Sequence, residues 1–193
     1  MSHFPRLSQL LTGSVLSLLI GSACAGQPAP TPDALQTLLV TLNERLNIGD
    51  RVALTKWDSG KPIQDSAREA QVIANARQLA VERQLDADDV AQLMAAQMEA
   101  NKLVQYGLLA QWQAMGKAPD TPRPDLAKQI RPQLDELQSR LLQQYADFSP
   151  YRKDPNCSSW LAKARVGLTQ DQLHQLALIR ATGELCVLPS GHI

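Results

Sequence analysis

Arg45 and Lys56 stand eleven residues apart, and Gln97, Asn101 and Gln105 stand four apart. Eleven residues is almost three helical turns. On one helix Arg45 and Lys56 therefore project in nearly the same direction, about 16 Å apart along the axis at 1.5 Å per residue. A spacing of four puts the three amides on one helix face. Between the two sets lies "LTKWDSGKPIQDSAREAQ", where Lys56, Asp65, Arg68 and Glu69 crowd a short turn. Guanidinium groups grip carboxylates in a forked geometry. These types fit the binding of a small anion. The sequence holds no recognisable nucleophilic triad or phosphate loop, and His174, His192, Cys157 and Cys186 make no metal-ligand spacing.

Helices must position these groups. The spacing predicts a first helix from about Asp33 to Trp57, with Leu35, Leu38, Leu39, Leu42 and Leu46 as its apolar stripe. "DSGKPIQ" breaks it. Ser66-Ala67-Arg68-Glu69 has the S-x-x-E form of a capping box and opens a second helix to about Gln84. Asp86, with Asp89 three residues on, starts a third, reaching about Met115. After the connector "GKAPDTPRP" a fourth helix begins at Leu126 or Pro132 and ends near Phe148. Pro132 biases Arg131 away from helical geometry. Short helices near 156–166 and 170–185 finish the chain, the last entered through Thr169-Gln170-Asp171-Gln172. No strand pattern competes, so the fold class is all-α, a bundle of about six helices.

On a helical wheel Arg45 and Lys56 fall at the edge of the leucine stripe, and Arg68 falls on the face of Val72, Ala76 and Leu79. Gln97, Asn101 and Gln105 fall inside the stripe of Val90, Leu93, Met94, Val104 and Leu108. Singly, each has an ordinary structural reading. A cation beside a stripe snorkels to water, and a seam amide sets register. Glu69 completes a capping box, and Asp65 serves as a turn residue or N-cap. Together they are harder to dismiss. Several cations and neutral amides face one interior with few acids to neutralise them, and unpaired buried cations are costly. A small ligand with more than one negative charge resolves the imbalance.

The N-terminus reads as a leader outside the fold. Arg6 is the only charge before residue 33, and "LLTGSVLSLLIGSACA" is an apolar run ending in an A-x-A pattern. This is the form of a secretory signal peptide cut after Ala25; the other reading anchors a lipid on Cys24. Residues 26–193 then form a single domain, with a core at 33–115 and a helical C-terminal part at 125–193. The expected location is the periplasm or outside the cell. Removing Arg6 from 19 basic residues leaves 18 against 19 acidic, a balance that points to neither nucleic acid nor an anionic membrane. No further segment is long and apolar enough to span a bilayer. Cys157 and Cys186 remain after cleavage. An even pair in an exported chain suggests a disulfide, against the alternative of two separate buried thiols.

"ERLNIGDRVALTKWDSGKPIQDSAREAQV" (Glu44–Val72) and "QMEANKLVQYGLLAQW" (Gln97–Trp112) resemble the secreted, all-helical chorismate mutases of the type II fold. The likeness spans about residues 33–115. It is carried by an ensemble: Arg in the first helix, Lys eleven residues on, D-x-x-R after the turn, and N-x-x-x-Q on the third helix. The resemblance implies the rearrangement of chorismate to prephenate. Arg45, Arg68 and Arg131 would hold the two carboxylates, with Asn101 assisting. Lys56 and Gln105 would donate to the ether oxygen. Asp65, through its backbone, and Glu69 would meet the ring hydroxyl. It also implies a site built within one chain, a homodimer, a Cys157–Cys186 bridge and no cofactor. Two other functions stay open: a non-enzymatic exported helical bundle, and a dicarboxylate-binding protein without catalysis.

Overall fold

A computed structural model describes residues 30–169 and 171–187 together with Met1. The leader, the cleavage position at Ala25, Cys24, Gln170 and His192 lie outside the described residues. Six α-helices follow in order: α1 (Asp33–Ser59), α2 (Ser66–Glu82), α3 (Ala87–Met115), α4 (Arg131–Phe148), α5 (Cys157–Ala164) and α6 (Gln172–Ala181). A π-helical turn, Leu126–Ile130, leads into α4, and a 3₁₀ turn, Ser149–Tyr151, follows it. No strand occurs among the described residues. None of the described helices is long and apolar enough to cross a membrane.

Local chemistry sets the ends. Gly60 and Gly116 close α1 and α3 in the left-handed conformation, at φ of 64° and 73°, where a side chain would be strained. Asp86 starts α3 by accepting the backbone N–H groups of Asp88 and Asp89. At α2 the capping box is shifted by one residue from the expected S-x-x-E. The cap is Asp65, not Ser66: its Oδ1 accepts from Arg68 N, and Glu69 Oε1 accepts from Asp65 N. A carboxylate is the stronger acceptor beside the positive end of the helix dipole.

The expectation for Arg131 is overturned. Its backbone is α-helical, at φ −61° and ψ −47°, despite the following proline. Arg131 N–H reaches back five residues to Leu126 O, a wider turn than an α-helix makes. Pro132 falls in the first turn of α4, where the missing N–H of proline is tolerated and a helical φ suits its ring. The helical stretch thus begins at Leu126, capped by Asp125, and runs through Pro132.

α3 packs against α1, α2 and α6, while α1 also carries α4 and α5. The main core joins Leu35, Leu38, Leu39 and Leu42 of α1 to Leu93 and Met94 of α3 and to Leu141, Leu142, Tyr145 and Phe148 of α4. Ala177, Leu178 and Ala181 of α6 close a second cluster on Leu46, Ala100 and Val104. Cys157 and Cys186 are joined in a disulfide, with Cα atoms 5.8 Å apart.

Candidate active site

α1, the start of α2, the middle of α3 and the start of α4 surround a cleft of about 160 Å³. Arg45, Lys56, Asp65, Arg68, Glu69, Asn101, Gln105 and Arg131 all line it, so the residues singled out from sequence converge on one space. Val52, Ile63, Val72, Met98, Ile130 and Leu134 supply its apolar walls. Five cations (Arg45, Lys56, Arg68, Lys102 and Arg131) face three carboxylates (Asp65, Glu69 and Asp135). The surplus of positive charge is two.

Arg45 is the most enclosed cation, 7 % exposed. Burial pushes its pKa down to about 10, against the pull of Asp135, so it keeps its charge at neutral pH. Its Nη1 donates to Leu134 O at 3.1 Å. Arg68 pairs with Asp135 at 3.4 Å and donates to Gln71. Arg131 is exposed at the rim. Lys56 Nζ donates to Pro62 O at 2.6 Å, which draws the α1–α2 turn over the site and leaves two N–H groups of the ammonium to donate elsewhere.

The amide row on α3 divides into two roles. Gln97 donates to Ala181 O at 2.6 Å and ties α3 to the end of α6. Asn101 and Gln105 form a relay. Asn101 Nδ2 donates to Arg45 O at 3.3 Å, and its Oδ1 accepts from Gln105 Nε2 at 2.8 Å. Gln105 Nε2 keeps a second N–H, and its buried Oε1 has no partner. Gly49 permits this relay: a Cβ there would lie 3.2 Å from Asn101 Nδ2 and from Val104 Cγ1, so its absence lets α1 approach α3.

Glu69 accepts from Asp65 N with one oxygen and from Lys102 Nζ, at 3.0 Å, with the other. Lys102, Asp135 and Gln138 are lining residues that sequence reasoning missed. A faint signal existed for two of them, since Arg131, Asp135 and Gln138 follow helical spacing on one face. For Lys102 nothing local pointed to Glu69, which lies 33 residues away.

Residues 36–106 match the family model described as chorismate mutase type II. The chain is 30% identical over 190 residues to the secreted chorismate mutase of Mycobacterium tuberculosis, covering 94% of this chain and 95% of that protein. Its structure is similar to that of the chorismate mutase from Burkholderia phymatum, with a TM-score of 0.78 and 44% identity, covering 81% of this chain and 98% of that one. The chorismate mutase from Burkholderia thailandensis is similar at a TM-score of 0.77 and 34% identity, with coverage of 80% and 100%.

Proposed function

The chain belongs to the secreted, all-helical chorismate mutases, and from that premise we propose that its cleft binds chorismate and rearranges it to prephenate. The observation that carries this reading is the two-cation surplus in a small, apolar-walled cleft. Two carboxylates on one substrate neutralise it, and neither partner then leaves an uncompensated charge out of water.

The rearrangement is pericyclic. It transfers no proton or hydride, so the protein's contribution is conformation and charge. Arg45, Arg68 and Arg131 grip the carboxylates in forked geometry and fold the enolpyruvyl arm over the ring, which removes the entropy of finding that conformer. Asn101, with an N–H of its amide to spare, assists them. As the ether bond lengthens, negative charge grows on its oxygen. Lys56 and the second N–H of Gln105 meet that charge more strongly in the transition state than in the substrate. Glu69 and the backbone of Asp65 receive the ring hydroxyl. An acceleration of roughly 10⁶, modest for an enzyme, needs about 8 kcal/mol. Positioning and two directed donors are of that order.

Purified protein lacking residues 1–25 should consume chorismate, followed by its absorbance, and yield prephenate. Binding without turnover would make it a dicarboxylate-binding protein, and indifference to chorismate would make it a non-enzymatic bundle. In this reading residues 26–193 are the mature domain and act as a homodimer after export. The mass of the exported form tests cleavage after Ala25, and light scattering at twice the chain mass tests the dimer.

A further inference from the structure

Glu69 is held from two sides by two different helices. Oε1 accepts Asp65 N–H at 3.3 Å from the cap of α2, and Oε2 accepts from Lys102 Nζ at 3.0 Å from the middle of α3. Lys102 is itself anchored. Glu99 Oε1, one turn back on α3, lies 2.8 Å from its Nζ, and the Lys102 side chain is 15 % exposed. The hydrogen bond to Glu99, then that to Glu69, raises the pKa of the ammonium against the effect of burial. A long lysine stem that would otherwise sample many rotamers is thus pinned at the wall of the cleft.

We propose that Lys102 is a positioning residue: its ammonium fixes the Glu69 carboxylate in the orientation that receives the substrate's ring hydroxyl, and offsets its charge toward a dianionic substrate. The inference rests on the chorismate reading and deepens it. Each Glu69 oxygen has a second lone pair, so a hydroxyl can still donate once both protein bonds are made. Without Lys102, Glu69 keeps one long bond to its own helix, and its charge repels the carboxylates that Arg45 and Arg68 are placed to hold. Both effects act through Glu69, and that makes them separable from a direct contact between Lys102 and substrate.

The test is a double-mutant cycle on chorismate turnover, with Lys102→Met made in wild type and in Glu69→Gln, and Lys102→Arg as the conservative variant. Lys102→Met should lower kcat/KM about tenfold, the size of one lost charge-assisted hydrogen bond, with part of the loss in kcat. Lys102→Arg should recover most of it. In the Glu69→Gln background Lys102→Met should cause no further loss, a result that a general defect of folding would not produce. If Lys102→Met does not fold, Lys102→Gln in the same two backgrounds makes the same comparison. Additive losses, or a Lys102→Met enzyme with unchanged kinetics, would overturn the proposal while leaving the chorismate reading intact. A wild-type protein without turnover would overturn both.

Discussion

Gln105 is an amide, and an amide donates a hydrogen bond whatever the pH. A carboxyl group at the same place donates only while protonated. We predict that turnover depends weakly on pH from acid to neutral, and that Gln105→Glu makes it fall as pH rises. At pH 8 the loss should be about 10²-fold or more, the usual consequence of removing one donor to a developing oxyanion. Wild-type activity in that variant at pH 8 would remove Gln105 from the reaction. Lys56→Ala should reduce kcat more than it raises KM, because its charge matters most when the ether oxygen becomes negative. A defect confined to KM would argue against that role. The types and spacing of these residues were legible in the sequence. The orientation of Gln105 was not, because it depends on Asn101, which depends in turn on a carbonyl of α1.

A charged clamp holds α6 to the bundle at the scale of elements. His174, 8 % exposed, lies between two carboxylates: Nδ1 is 2.7 Å from Asp171, the N-cap of α6, and Nε2 is 2.9 Å from Asp50 on α1. Burial opposes the imidazolium, but Asp171 and Asp50 outweigh it and raise the pKa above 6.5. A raised pKa in the folded state means the stabilisation is complete below the unfolded value and is lost as pH climbs through the folded one. Thermal stability of the wild type should therefore decline as pH rises above that of ordinary histidine. The change should be about 1 kcal/mol, small because both carboxylates are partly exposed. His174→Gln should abolish this slope, and an unchanged slope would show that His174 is not its source. Thr169-Gln170-Asp171-Gln172 was readable as a capping signal, though not that Asp171 within it is the cap; Asp50, 124 residues from His174, was not readable.

The fourth helix teaches the reverse lesson at the same scale. The local rule for a residue before proline disfavoured a helical Arg131. Arg131 is helical nonetheless, follows a turn in which its N–H reaches Leu126 O, and lines the cleft at its rim.

For the whole molecule, the described residues after α4 seal the core and do not line the cleft. Leu178 and Leu185 are buried, and Arg152 reaches Asp89, Leu185 O and Glu184 O while its guanidinium lies 5.0 Å from the Tyr145 ring centre. The Cys157–Cys186 bridge closes a 29-residue separation over this region. A Cys157→Ser, Cys186→Ser double variant should lose about 3–4 kcal/mol of stability, the chain-entropy value for such a loop. Denaturant titration measures it. Turnover at 25 °C should stay near wild type, since neither residue touches the cleft. A lost activity in a folded variant would mean that the C-terminal region does more than support.

The sequence by itself determined what is local: the order and approximate extent of the helices, which faces are apolar, and which polar residues interrupt those faces. Caps and a 3.6-residue period act over a few residues, so they can be read along the chain. Tertiary structure alone decided who meets whom across helices. Lys102 finds Glu69, Gln97 finds the last carbonyl of α6, and Asp135 finds Arg68, because helix packing sets those distances and no spacing within one helix encodes them.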